Sequence, residues 1–282
     1  MLNLRDITIE IVKTARETGT FILKESEKFD LSRTETKGLN DFVSYVDKGA
    51  EKMIVERLGH LLPEAGFKTE EGTIEKSGIR YCWVVDPLDG TTNFLHGLHP
   101  HAISIALMEY NEAIAGVVYE VGGNEIFTAW KDGGAWLNGK PIHVSKATNL
   151  ASSLVATGFP YSDFTQLDEY MKLLTHLCKH SQGIRRLGSA AIDLAYVACG
   201  RFEVFYEYGL HPWDVAAGIL LVREAGGSVS DFSGNEKNVE GEEIVAANSL
   251  VFREVLEIVS KFMKNYANNF RWELSDTIFS ME

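Results

Sequence analysis

The stretch Trp83-Val84-Val85-Asp86-Pro87-Leu88-Asp89-Gly90-Thr91-Thr92-Asn93-Phe94 decides how the rest of the chain is read. Trp83 to Val85 are an apolar run that reads as a short buried strand. The strand is expected to stop at Asp86-Pro87, because proline locks one dihedral and gives a sheet no donor. Asp86 and Asp89 then flank a turn ending in Gly90, with two threonines behind it. Glycine lets backbone approach a ligand closely, and successive free N–H groups at a turn or helix start attract an anion. Two turn aspartates by themselves would be solvated surface. The apolar strand leading in and the hydroxyl pair leading out point instead to acids that attract hard cations beside a phosphate cradle. That pairing suggests metal-assisted phosphate chemistry.

A second stretch bears on the same site. His211-Pro212-Trp213-Asp214-Val215-Ala216-Ala217-Gly218 places a carboxylate at the start of an almost wholly apolar helix, ended by Gly226-Gly227. A helix apolar on every side is buried. Asp214 therefore stands at the mouth of the core, where an acid needs a partner, a helix N-terminus or a metal.

The chain has 282 residues, enough for one large core or two closely packed domains. Its 27 Lys and Arg against 40 Asp and Glu give a net charge of −13. Such acidity argues against nonspecific binding to nucleic acid or to an anionic membrane. It also opposes an anionic substrate, unless bound cations reverse the local sign. Cys82, Cys178 and Cys199 lie far apart in apolar stretches and read as buried hydrophobes. The first residues lack the pattern of a signal peptide, and no uncharged run is long enough to cross a bilayer, so a cytoplasmic protein is expected.

In chain order, Asn3 to Phe29 read as an amphipathic helix. The polar segment Leu31 to Asn40 reads as a mobile loop, in which Lys37 is either a surface lysine or a cation near an anion site. Asp47 reads as the N-cap of a second helix. Glu70-Glu71-Gly72, taken alone, is a charged loop. Ala102–Met108, Ile114–Val121 and Glu125–Trp130 read as strands, the last two as a hairpin through Gly122-Gly123-Asn124. From about Lys140 strands and helices alternate. Ser153–Thr157, Phe202–Glu207 and Ile244–Ala247 are expected strands; Gln166–His180, a helix capped by Ser189, Trp213–Ala225 and Leu250–Tyr266 are expected helices. The apolar face of Gln166–His180 is assigned to Leu167, Tyr170, Met171, Leu174 and Leu177. The reading is α+β over 1–140 and α/β over 141–282, with a site in the cleft between.

Glu70, Asp86, Asp89 and Asp214, if they meet, would repel one another and take up protons unless cations neutralise them. Magnesium suits such oxygen ligands, and two ions about 3.5–4 Å apart can clamp both oxygens of an in-line phosphoryl transfer. Thr91 with Asp47 could orient the attacking water. Rival sites are weaker. His96, His99 and His101 have zinc-like spacing, but no nearby cysteine completes it, and they read as turn or supporting histidines. Arg185-Arg186 either greet an anion at the following helix N-terminus or pair with surface acids. No Gly-x-x-x-x-Gly-Lys-Ser/Thr loop, Gly-x-Ser-x-Gly elbow or plausible nucleophilic cysteine stands out.

Asp86 to Phe94, together with Trp213-Asp214-Val215-Ala216-Ala217-Gly218 and Glu224-Ala225-Gly226-Gly227, closely resembles the inositol monophosphatase family. The likeness runs from the Asp41-Phe42-Val43 and Asp47 region to Ala246-Ala247-Asn248. It implies a layered α-β-α-β-α sugar-phosphatase fold and a magnesium-dependent, lithium-sensitive phosphomonoesterase with two or three Mg2+ ions, as a homodimer. Carried over, Glu70, Asp86, Asp89, Asp214 and the Leu88 carbonyl would hold metal. Gly90 and Thr91 would bind phosphate and place the water, helped by Glu70 and by Asp47 paired with Thr91. Asp89, Gly188, Ala190 and Glu207 would meet the sugar hydroxyls, with Arg185 as a further substrate-side candidate. Lys68-Thr69-Glu70-Glu71-Gly72 only approximates the family pattern, which leaves Glu71 as the alternative to Glu70. Thr92-Asn93-Phe94 resembles the inositol-phosphate branch; fructose 1,6-bisphosphate and nucleotide bisphosphates are the alternative substrates. Some bacterial relatives serve the transcription machinery, so a binding role is the alternative of another class.

Overall fold

The computed structural model describes residues 2–28, 34–38, 41–74, 76–161, 163–236 and 241–263, with 34–38 and 41–44 described by backbone alone. The first elements are α1 (Leu4–Ser26), β1 (Thr34–Gly38), β2 (Asp41–Ser44), α2 (Tyr45–Leu61), β3 (Gly66–Thr69), β4 (Tyr81–Asp89) and α3 (Thr91–Leu95). The strands β5 (Ala102–Glu109), β6 (Glu112–Glu120), β7 (Glu125–Trp130), β8 (Ala135–Leu137) and β9 (Lys140–Ile142) follow. The remainder is β10 (Leu154–Thr157), α4 (Leu167–His180), β11 (Gly183–Arg185), α5 (Ala190–Ala198), β12 (Val204–Tyr208), α6 (Pro212–Glu224), β13 (Gly227–Ser230), β14 (Glu243–Asn248) and α7 (Phe252–Met263).

Strands β3 to β9 form one sheet in sequence order, antiparallel except for the parallel pair β3–β4. A second sheet has the order β11-β10-β12-β14-β13. Side chains alternate across a strand, and here the alternation sorts by size. Trp83 and Val85, with Ile103, Ile105 and Leu107, face α1 and α2 in one core. Val84, Ala102, Ala106, Val118 and Ala129 face the other way, into a core shared with α5, α6 and the second sheet. A third core lies between the second sheet and helices α4 and α7. The layers are therefore α-β-α-β-α, as the resemblance implies.

The middle layer sits close because the surfaces it touches are small. A Cβ at Gly116 would stand 3.2 Å from the Ala217 Cα, and one at Gly218 would stand 2.5 Å from Leu194 Cδ1. Any side chain there would push α6 off the sheet or off α5.

Several expectations change. Strand β4 does not stop at Pro87; it runs on to Asp89 over an irregular register between Asp86 and Asp89, where a proline without an N–H is tolerated. Residues 34–38 and 41–44 are paired strands, not loop, and the Lys37 side chain lies outside the description. Asp47 is buried in the first turn of α2 and is not its cap, because the helix already begins at Tyr45. Helix α1 ends at Ser26 and α7 runs Phe252–Met263; Phe29 and the segment after Met263 lie outside the described residues. On α4 the buried stripe is Tyr170, Leu173 and Leu177, which leaves Met171 and Cys178 exposed, and Cys82 and Cys199 are only partly buried. Among the described residues no helix is long and apolar enough to cross a membrane.

Candidate active site

The site forms where β4 leaves the first sheet and meets the N-termini of α5 and α6. Asp86 is 2 % exposed, and its Oδ1 accepts from the Leu88 N–H at 2.9 Å. Gly90 has a φ of +85°, and a Cβ there would stand 3.1 Å from the carbonyl oxygens of Gly188 and Pro100. Only glycine fits that turn. Thr91 opens α3, and its Oγ1 stands 3.0 Å from both Asp47 Oδ1 and the Leu88 carbonyl. Asn93 Nδ2 donates to the carbonyls of Pro100 and Leu187, fastening this turn to the loop before α5.

The second half of the chain brings two helix starts to the same place. Ser104 Oγ donates to the Trp213 carbonyl at 3.2 Å, which pins the first turn of α6 to β5. Within that turn Asp214 Oδ2 accepts from the His211 N–H at 2.7 Å. Asp89 Oδ2 accepts from Ser189 Oγ and from the Ala191 N–H, both at 2.7 Å, so the N-terminus of α5 is held by an acid of β4. Ala190 and Gly90 also donate backbone hydrogen bonds to Asp89.

Glu70 enters from the loop after β3, its N–H donating to the Val85 carbonyl at 3.2 Å. That loop is organised by Glu51, which sequence reading passed over. Glu51 is fully buried on α2 and accepts from Thr69 Oγ1 at 2.9 Å and from the N–H groups of Glu71 and Thr73 at 2.7 Å. A charged residue on the inner face of a helix, ahead of a polar loop, is the signal that marks it. Glu51→Leu should destabilise the fold by about 3 kcal/mol in urea titration, since several buried donors lose their acceptor. A loss below about 1 kcal/mol would remove Glu51 from this role.

The four acids converge. Glu70 hydrogen-bonds Asp86, and Asp86 hydrogen-bonds Asp214. Burial, then the charges of Glu70, Asp89 and Asp214, push Asp86 well above the ordinary carboxyl range. Asp214 is pushed up to about 7, first by burial and then by Asp89. Asp89 is pushed up to about 6 by burial, held back by its hydrogen bonds from Ser189 and α5. Among the described residues no group of three His, Cys, Asp or Glu side chains is already spaced to hold a metal ion. Like charges this close favour the protonated form of one another.

Glu207 on β12 is 3 % exposed and pushed upward, first by burial and then by Asp214. Gly188 lies beside Gly90 and Asn93, with a φ of +86°. Arg186 is a cation on this side, and its charge acts on Glu207, Asp193 and Tyr161. Arg185, the residue singled out from sequence, donates to the Ile184 carbonyl at 2.9 Å. Neighbouring residues at a strand end face opposite ways, which the doublet by itself does not resolve. His101 Nδ1 lies 3.2 Å from the Leu98 carbonyl, and His99 stacks on it with Nδ1 3.6 Å from Glu120.

Fold and site together define a layered α-β-α-β-α protein with buried acids beside a glycine-threonine turn. The inositol monophosphatase family model matches residues 3–264, and the chain belongs to that family, a membership that supports a phosphatase. It is 42% identical to the Nus factor SuhB of Escherichia coli, over 95% of this chain and 96% of that protein. It is 38% identical to an inositol-1-monophosphatase of Mesorhizobium japonicum, over 89% and 95%. Among solved structures, the extragenic suppressor protein suhB of Bartonella henselae superposes with a TM-score of 0.85 at 37% identity, covering 91% of this chain and 99% of that one.

Proposed function

We propose that this chain is a magnesium-dependent, lithium-sensitive phosphomonoesterase that releases inorganic phosphate from inositol-1-phosphate or a similar small polyol or sugar phosphate. One observation carries the reading: the charges of Glu70, Asp89 and Asp214 act together on the buried Asp86. Such a set, with the Leu88 carbonyl, fits hard divalent cations and little else. Glu70, Asp86, Asp89, Asp214 and Leu88 would hold two or three of them. When bound, these ions supply positive charge to the phosphate oxygens and ease removal of a proton from the attacking water.

The chain's own residues do the rest. The Gly90-Thr91 turn binds the phosphate, with the Thr91 backbone N–H at the start of α3 as donor. Thr91 Oγ1 has two acceptors at 3.0 Å, Asp47 Oδ1 and the Leu88 carbonyl, so its proton points to one of them and its lone pairs are left to accept from the attacking water. Glu70 draws on that water's proton. Asp89, Gly188, Ala190 and Glu207 meet the hydroxyls of the alcohol part, in the cleft between 1–140 and 141–282. The test is phosphate release from inositol-1-phosphate, fructose 1,6-bisphosphate and adenosine 3′,5′-bisphosphate, with and without magnesium. Magnesium-dependent release from the first is expected; equal release with chelator present would end the metal reading.

Glu207→Gln should lower discrimination between inositol-1-phosphate and phenyl phosphate by about tenfold, since a site built for a hydroxyl penalises its absence. An unchanged ratio would remove Glu207 from the substrate side.

The family resemblance also supports a homodimer, which light scattering on purified protein would test. A second reading is favoured by relatives named Nus factors: this chain also binds the transcription machinery. Capture of RNA polymerase by both wild type and Asp86→Asn would support it. Capture by neither would discard it.

A further inference from the structure

The arginine doublet before α5 supplies a cation that no step above uses. Arg186 is exposed, and its guanidinium has no hydrogen-bond or ion-pair partner among the described residues. The chain carries 40 acids against 27 basic residues, so surface arginines have acids at hand, and Arg57, Arg80, Arg201 and Arg253 each pair with a glutamate. An arginine left unpaired on such a surface keeps its donors for an incoming anion.

The residues that follow it are tied to the phosphate turn. The Leu187 carbonyl accepts from Asn93 Nδ2 at 2.8 Å, and Ser189 Oγ donates to Asp89 at 2.7 Å. Between them, the Gly188 carbonyl oxygen lies 3.1 Å from where a Cβ at Gly90 would stand, so Gly188 rests against Gly90. On that same Gly188, Arg186 Nη1 stands 2.7 Å from the place of a Cβ, so the side chain folds forward over the glycine. With a φ of +86° and no side chain, Gly188 leaves that space to the guanidinium. A planar fork of N–H donors is thereby held one residue from the turn assigned to the reacting phosphate. The acids nearby set what can approach. Glu207 on β12 repels an anion, so a second anionic group is admitted only where the guanidinium itself meets it.

We infer that Arg186 is a specificity-determining residue that binds a second anionic group, a phosphate or carboxylate carried on the alcohol part of the substrate. The site then favours doubly anionic esters over esters of neutral polyols. This rests on the phosphomonoesterase reading above and narrows its substrate class. Of the two arginines, Arg185 spends a donor on its neighbour's carbonyl, and Arg186 is the one laid over Gly188. A guanidinium suits the task because its fork matches two oxygens of a phosphate or carboxylate at once.

The experiment measures phosphate release from fructose 1,6-bisphosphate and from inositol-1-phosphate by wild type, Arg186→Lys and Arg186→Gln, with magnesium, at low and high salt. Arg186→Gln is expected to raise KM for the bisphosphate about fivefold or more with kcat within about twofold, and to change kcat/KM on inositol-1-phosphate by less than about twofold. Arg186→Lys keeps the charge without the fork and should fall between. Added salt should raise the bisphosphate KM of wild type more steeply than that of Arg186→Gln, a difference that a merely structural role would not produce. Both variants should melt with wild type, because Arg186 is exposed and unpaired among the described residues. Equal losses on the two esters would put Arg186 on the reacting phosphate and overturn the inference, as would an unchanged bisphosphate KM. A wild type that hydrolyses inositol-1-phosphate but not the bisphosphate overturns this subsite alone. One that hydrolyses neither defeats the phosphatase reading and takes the subsite with it.

Discussion

Asp86→Asn should reduce turnover on a phosphate monoester by about 10³-fold, roughly 4 kcal/mol at 1.36 kcal/mol per decade, while the protein stays folded. Asp86 touches both Glu70 and Asp214, so its carboxyl joins the acids of the two halves of the chain. Asparagine has the same shape, and its amide oxygen can still accept from the Leu88 N–H, now 2.9 Å from Oδ1. What it lacks is the negative charge that a divalent cation needs. The same loss relieves repulsion in the cluster, so circular dichroism and the melting temperature should match or exceed wild type in chelator. Activity within tenfold of wild type would show that Asp86 holds no essential ion.

The second large effect is on stability, and its sign follows from the same acids. Asp89 at about 6 and Asp214 at about 7 lie above an unfolded carboxyl, near 3.9. The folded chain therefore binds more protons than the unfolded one across that window. Stability is fully present below about pH 4 as far as these groups are concerned, and is lost as pH rises through 6 and 7. In chelator the wild type should melt lower at pH 8 than at pH 5.5. Excess magnesium should reverse this, by about 2.7 kcal/mol at a hundredfold excess over Kd, and more at pH 8 because protons no longer compete. Asp86→Asn should lose most of that magnesium response. Wild-type melting curves that ignore both pH and magnesium would count against cation binding by this cluster.

Much of the site was legible because it is local. Asp86 to Asn93 is one turn, and its residue types declare cation and anion affinity without reference to anything else. The apolar run after Asp214 likewise announces a buried helix with an acid at its mouth. Other features were hidden for identifiable reasons. Pro87 reads as a strand terminator, yet the register irregularity beside it carries β4 on to Asp89. Glu51 belongs to no local motif, and its role emerges only where the loop after β3 folds over it. Arg185 and Arg186 are equivalent on paper, and only the path of the chain after β11 brings the charge of the second to bear on Glu207.

By itself the sequence determined the turn, the acid types, the order of most helices and strands, and the family. Whether distant acids meet was decided by tertiary packing alone. Asp214 reaches Asp86 because small residues at Gly116, Ala217 and Gly218 let α6 lie against the first sheet and α5, and because Ser104 pins its first turn. Hydrophobic patterning says which faces are buried, but the distance between two buried layers depends on side-chain volume at each contact, and that distance sets whether the carboxyls touch.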